Sequence, residues 1–229
     1  MTEEKISFYL QKNNELFNGD VLTVCYSSDE DEMKKYGLTS PNILLFIRSN
    51  TMNFTKDDCD FYSEISKMFQ NEKIILRIQS ECLLGMYGDS HCDCESQRIN
   101  SIKIISQNGG IFVHLPQEAQ GWGLFYKLKE LELQVSGRMQ SGEYIGKKDR
   151  DSAQRILLNM HDFHDNRSYE IVAKILEKLS LSNHKFLVIT DSDKKIKELN
   201  DVGIISSKYS DDIAAKINSD NISEYLIKI

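Results

Sequence analysis

Residues 80–97 read SECLLGMYGDSHCDCESQ, and three of the five cysteines of the 229-residue chain fall inside this stretch, at Cys82, Cys92 and Cys94. The pattern is C-x9-C-x-C, with Gly85 and Gly88 in the longer gap and Asp93 between the last two thiols. An odd cysteine count with three thiols clustered points to a metal or to catalysis rather than to a disulfide framework. Three thiolates can hold a zinc ion and leave its fourth position open to a water whose pKa falls toward neutrality. The spacing leaves two other readings open. His91 could close a structural Cys3His site, or the cysteines could be buried core residues.

Outward from this stretch the chain reads as a single domain over residues 1–229. Hydrophobic residues make up 40% and charged residues 28%, enough to bury a sizeable core, and only Pro41 and Pro116 interrupt it. The net charge of −7 argues against a non-specific nucleic-acid binder, which needs cations to neutralise phosphates, but a local basic pocket for an anionic small molecule remains compatible. No apolar run approaches the length of a membrane span. The opening MTEEKISFYLQKNN lacks the basic-then-apolar layout of a secretory signal, so a cytoplasmic protein is expected.

Apolar, β-rich runs at 43–48, 73–79, 109–115 and 185–190 predict strands. Apolar residues recurring at three and four predict helices over 95–107, 122–135, 167–181 and 193–200. Strands alternating with helices imply an α/β or α+β layered fold, a mixed sheet core with flanking helices. Between 136 and 164 the periodicity weakens and charges crowd in GKKDRDSAQR, which reads as an exposed insertion. The GKKD at 146–149 is not a phosphate-binding P-loop, for it lacks the upstream glycine spacing and the hydroxyl residue after lysine.

The stretch RIQSECLLGMYGDSHCDCESQ (77–97) resembles the zinc segment of the GTP cyclohydrolase II family. GGIFVHLPQEAQGWGLFYKLKELELQ (109–134) resembles that family's strand, Q-E-G-R-G turn and helix. DFHDNRSYEIVAKIL and FLVITDSDKKIKELNDVGI, at 162–176 and 186–204, resemble its D-x-R segment and its closing strand, turn and helix. The likeness runs in order over about residues 73–205, interrupted at about 136–160, while residues 1–72 match only as a divergent, β-rich N-terminal portion.

The resemblance implies a zinc-dependent hydrolase that opens the imidazole ring of GTP. It would release formate and pyrophosphate and leave a diaminopyrimidine ribotide for riboflavin synthesis. Cys82, Cys92 and Cys94 would hold Zn2+, and Mg2+ would accompany the phosphates of the nucleoside triphosphate. Arg167 would act at the α-phosphorus with Asp165 as proton acceptor. An arginine is almost never deprotonated, so clamping phosphate is its minimum duty. Arg150 is the competing arginine, but Lys148 stands where the aspartate should be, and only Arg167 opens a helix ahead of Thr190. Asp165 also reads as a helix cap. Arg77, Ser80, Glu81, Gln97, Glu118, Thr190 and Lys195 would bind substrate, with Glu118 reading the guanine edge and Thr190 and Lys195 facing phosphate. A homodimer is implied as well.

Several positions depart from the family pattern. Gln79 stands for a histidine, Ala119 for a glycine, Gln120 for the turn arginine, His91 for an arginine and Leu131 for a tyrosine that reaches the base. Catalytic groups are kept while recognition groups change. Two alternatives follow: a relative opening a different nucleobase, such as that of a uridine nucleotide, and a catalytically weakened nucleotide-binding module.

Overall fold

All four runs read as strands from the sequence enter one sheet. The computed structural model describes residues 5–50, 61–69, 73–88, 93–139, 141–161 and 167–209. In chain order the elements are β1 (Ile6–Asn14), β2 (Gly19–Ser27), α1 (Glu30–Tyr36), β3 (Asn42–Arg48), α2 (Phe61–Met68), β4 (Ile74–Ser80) and the short α3 (Leu83–Met86). They continue with α4 (Cys94–Asn108), β5 (Gly110–Leu115), a 3-10 turn (Glu118–Gly121), α5 (Leu124–Val135), α6 (Arg150–His161), α7 (Glu170–Lys178), β6 (Phe186–Val188), α8 (Asp193–Asp201) and β7 (Ser206–Lys208).

The seven strands lie in the order β1-β2-β3-β5-β4-β6-β7. β1, β2, β3 and β5 pair antiparallel, whereas β5-β4, β4-β6 and β6-β7 are parallel. The mixed sheet with flanking helices matches the fold class expected from the sequence, and β1 and β2 supply its β-rich N-terminal portion. Residues alternate between the two faces of a strand, so one sequence register serves two cores. In β4, Ile74, Leu76 and Ile78 join the larger core with Ile111 and Val113 of β5 and Ile171, Val172 and Ile175 of α7. Ile75 faces the other way and packs with Phe112 of β5 and with Ile102 and Ile105 of α4. Gly110 is required where β5 begins, for at φ +140° a Cβ there would lie 2.4 Å from the Ile75 carbonyl oxygen.

Local signals set the ends of several elements. Asp29 and Glu32 form a reciprocal capping box at the start of α1, and Gly37 ends it in the left-handed conformation. Ser192 caps α8 by accepting from the Lys195 amide at 3.1 Å.

The chain leaves β4 through α4 to β5 on one side and returns through α5, α6 and α7 to β6 on the other. The order therefore reverses at β4, which opens a crevice beyond the carboxyl ends of β4, β5 and β6, the usual ligand position in such sheets.

Three expectations are corrected. The stretch 136–164 is not merely an exposed insertion. Its residues 150–161 form α6, which packs Ala153 and Leu157 against Leu133 of α5 in a small separate core. Arg167 does not open a helix, because α7 begins at Glu170 with Tyr169 at its cap. The strand expected over 185–190 is shorter, spanning Phe186–Val188. Among the described residues no helix is long and apolar enough to cross a membrane.

Candidate functional site

The crevice at the end of β4 is a cavity of about 210 Å³. Nine of its lining residues come from one run of β4 and the segment after it or from the start of α4: Arg77 through Cys82, then Asp93, Cys94 and Gln97. The turn after β5 adds Gln117 to Gln120, α5 adds Lys127 and Glu130, α6 adds Gln154, and Arg167 and Lys195 complete it. A larger cavity of about 350 Å³ lies elsewhere, between α7 and the segment after α8, and it holds none of the cysteines.

Of the residues singled out in the sequence, Arg77, Ser80, Glu81, Cys82, Cys94, Gln97, Glu118, Arg167 and Lys195 thus converge on one cavity. Thr190 stands outside its lining, where its hydroxyl accepts from the Ser192 amide at 3.2 Å. Cys92, His91 and Asp165 fall outside the described residues.

Arg77 is one of the buried cations of the cavity. Its side chain points to the α4 face because it alternates with Leu76 and Ile78. The guanidinium donates to Gln79 Oε1 at 3.0 Å, to Gln97 Oε1 at 2.7 Å and to the Ile189 carbonyl at 2.9 Å. Gln97 in turn donates to Asp93. This chain of bonds fixes the first turn of α4, which carries Cys94, to the centre of the sheet. Burial pulls the Arg77 pKa down from its usual value while Cys94 and Asp93 pull it back up, and arginine remains charged.

Lys195 faces the same space. Its ammonium donates to the Ile78 carbonyl at 3.0 Å and stands 5.1 Å from the Tyr169 ring centroid. Burial, then the neighbouring cations Arg77 and Arg167, lower its pKa to about 7. Three cationic side chains directed at one enclosed space favour a polyanion.

Glu118 is buried in the turn after β5, with one carboxylate oxygen accepting from the Leu83 amide at 2.6 Å and the other from the Ala119 amide at 3.2 Å. It ties the residue following Cys82 to the turn. Burial raises its pKa, and these two amides oppose the rise. Ala119 and Gln120 both adopt positive φ, 50° and 62°, a conformation that costs a non-glycine residue of order 1 kcal/mol or more. Glu81 lies 3.8 Å from His114 Nε2 of β5.

Cys82, buried at the entry to α3, and Cys94, half-buried at the start of α4, line the same cavity with Glu81 and Asp93 beside them. Among the described residues no three cysteine, histidine, aspartate or glutamate side chains form a metal-holding group. The third cysteine of the motif lies outside those residues, in the segment joining α3 to α4. Two thiols from either end of that segment at one cavity fit a soft or borderline metal such as zinc.

Sequence reasoning missed Asp93, Gln117, Lys127, Glu130 and Gln154. Gln117 is buried and donates to the Tyr36 carbonyl at 2.8 Å, holding the turn to the end of α1. Lys127 and Glu130 sit three apart on α5 and look in sequence like a solvated pair. Both are buried, and Gln154 of α6 donates to Glu130 Oε1 at 3.3 Å. The signal for α6 was present: Ala153, Ile156 and Leu157 recur at helical spacing behind Asp149, whose carboxylate accepts from the Ser152 amide at 2.9 Å.

Compared with known proteins, the family model for GTP cyclohydrolase II matches residues 16–209. The chain is 34% identical over 133 residues to a GTP cyclohydrolase-2 of Aliivibrio fischeri, covering 57% of this chain and 58% of that protein. It is 34% identical over 128 residues to one of Helicobacter pylori, covering 55% and 58%. It is 32% identical over 152 residues to one of Campylobacter hominis, covering 65% and 70%. The chain therefore spans about 58% of the length of the Aliivibrio and Helicobacter relatives.

Proposed function

Since the chain belongs to the GTP cyclohydrolase II family, we propose that it is a hydrolase that opens the base of a nucleoside triphosphate, GTP in the first instance, and releases formate and pyrophosphate. One observation carries this reading: the cysteine-bearing ends of α3 and α4 and the cations Arg77, Arg167 and Lys195 line a single cavity. A nucleoside triphosphate has a polyanionic end and a planar base, and this cavity offers groups suited to each.

In this reading Cys82, Cys92 and Cys94 would hold zinc, which would supply Lewis-acid activation of a water. The residues of the chain do the rest. Lys195 and Arg167 bind the phosphates, to which Thr190 would add a hydroxyl and Mg2+ would add further charge neutralisation, and they offset the charge that develops as pyrophosphate leaves. Asp165 accepts the proton of the water whose oxygen bonds to the α-phosphorus as the bond to pyrophosphate breaks. Arg77 and Gln97 act mainly as struts, since their hydrogen bonds hold the first turn of α4 in place. Glu118 orients Cys82 through the Leu83 amide and presents its carboxylate to the donors of the base. Ser80 and Glu81 complete the binding surface. A homodimer in the cytoplasm, contributing to riboflavin synthesis, completes the proposal.

The test separates the two hydrolytic tasks. Cys94→Ser should lose metal and formate release. Arg167→Ala should abolish pyrophosphate release, while Arg150→Ala should change it by less than tenfold, about 1.4 kcal/mol in the barrier. Strong loss at Arg150 with little at Arg167 would overturn the assignment.

A second reading, a relative that opens a different nucleobase, is favoured by one feature. Gln79 is engaged by Arg77, and Gln120 by Gln154, so two of the altered positions are built into internal networks that shape the cavity.

A further inference from the structure

Part of the cavity wall is made by residues from elements that are not adjacent in sequence. Gln120 Nε2 donates to Gln154 Oε1 at 3.2 Å, and Gln154 Nε2 donates to Glu130 Oε1 at 3.3 Å. The same oxygen of Glu130 accepts from Gln134 at 3.1 Å, and its other oxygen lies 3.6 Å from the Lys127 ammonium. Glu130 and Lys127 are only 5% and 6% exposed, so an ion pair has been taken out of water at the edge of a ligand-sized space. Such burial is costly unless the geometry is used. The pair lies within α5, three residues apart, and so does not itself hold α5 to α6, a task met by the contact of Leu133 with Ala153 and Leu157.

Arg77, Arg167 and Lys195 lie near one another and make one part of the lining cationic. Elsewhere in the lining Lys127 and Glu130 offset each other beside the Glu118 carboxylate, which the Lys127 charge also reaches, on a surface rich in hydrogen-bonding atoms. A carboxylate beside two carboxamides offers both acceptors and donors, the pattern that an uncharged heteroaromatic base with N–H and carbonyl groups requires. The wall also separates the main cavity from a cleft of about 40 Å³ lined by Trp122, Tyr126 and Leu157, so it is thin and backed by aromatic rings.

We propose that Glu130 and Gln154 are specificity-determining residues of this site, reading the uncharged base of the nucleotide alongside Glu118, and that α6 serves to bring Gln154 into the wall. The proposal rests on the nucleotide-hydrolase reading above and adds to it which residues choose the base. A site built to hydrogen-bond a polar edge rejects analogues lacking that edge, because its own polar groups are left unpaired.

The experiment is calorimetric titration of the zinc-loaded full chain with GTP, ITP and UTP, and with inorganic tripolyphosphate as a probe of the cationic part alone. Wild type is compared with Gln154→Leu and with the milder Glu130→Gln, and thermal melting checks that each variant folds. The expected result is a change of at least fivefold in the ratio of affinities among the three nucleotides, with tripolyphosphate affinity within twofold of wild type. Unchanged ratios in both folded variants would overturn the proposal. Parallel loss of nucleotide and tripolyphosphate binding would also overturn it, because the wall would then be scaffold only. If wild type binds the nucleotides with the expected selectivity but releases neither formate nor pyrophosphate, the hydrolase reading fails while the base-reading wall stands. If wild type binds none of these ligands, both fail together.

Discussion

Lys195 concentrates the electrostatics of the site. Its pKa falls from 10.5 to about 7 because the ammonium is buried beside Arg77 and Arg167. The sign of the consequence is fixed by linkage. The unfolded chain keeps the proton up to about pH 10.5, while the folded chain sheds it above about 7. The stability penalty is thus absent above 10.5, grows as pH falls through that window and is complete below 7. A bound phosphate reverses the preference and draws the proton back. Triphosphate binding at pH 8 should therefore be accompanied by proton uptake, seen as a dependence of calorimetric heat on buffer ionisation enthalpy, and affinity should weaken as pH rises above 7. Lys195→Met should remove the uptake and weaken triphosphate binding at least tenfold, about 1.4 kcal/mol, yet melt at or above the wild-type temperature at pH 7. A variant that melts lower and still takes up the proton would contradict this placement.

At the scale of elements, the described residues of α6 pack in a small core with α5 and not in the two cores built on the sheet. Its apolar contacts are with α5, through Ala153 and Leu157 on Leu133, with Met139, Ile145 and Ile156 alongside. Leu157→Ala should cost about 2–4 kcal/mol where it is felt. Hydrogen exchange should accelerate in α6 and in the facing residues of α5, while β4 and β5 stay protected. Uniform acceleration across the sheet would mean that α6 belongs to the main cooperative unit. The same element marks where sequence reading stopped. The strands at 42–48, 74–80 and 110–115 were legible because their apolar runs serve two cores at once. The helices at 94–108 and 193–201 were legible from periodicity and caps. α6 was not, because the charges of KKDRD at its entry masked the apolar spacing that follows. Without α6, nothing in sequence distinguishes Lys127 and Glu130 from an ordinary exposed pair. The cysteines, Glu118 and Lys195 could be picked out through family resemblance. That Arg77 and Gln97 are mutually bonded, and that Glu118 holds the Leu83 amide, depends on contacts between β4, α4 and the turn after β5, which spacing along the chain does not encode.

Across the whole molecule, the N-terminal strands are fastened to the rest by a buried carboxylate. Glu32 of α1 accepts from Tyr26 Oη of β2 at 2.8 Å, from the Lys5 ammonium at 3.0 Å and from Lys174 of α7. Burial alone would raise its pKa, but Lys174, Lys5 and Tyr26 together hold it at about 2, against an ordinary 4.5. A depressed carboxylate gives stability that is present above 4.5 and lost as pH falls toward 2, here on the order of 2–3 kcal/mol. Glu32→Gln should be less stable than wild type at pH 7, and the gap should close between pH 4.5 and 2 in denaturant titrations. An unchanged gap across that range would contradict the role given to Glu32. With that joint holding the outer strands and α7 in place, β4 sits at the reversal of strand order, and its carboxyl end carries the cavity in which cysteines and cations meet.

The most direct measurement is a parallel set of incubations of metal-analysed, zinc-loaded protein with GTP, ITP or UTP and Mg2+, following formate and pyrophosphate together. The account predicts about one zinc per chain, lost on replacing Cys94 with serine, and release of both products from GTP or from another nucleoside triphosphate in the same assay. Protein that retains its zinc after the Cys94 replacement, or that binds nucleotide at the cavity and releases neither product from any of them, would contradict it.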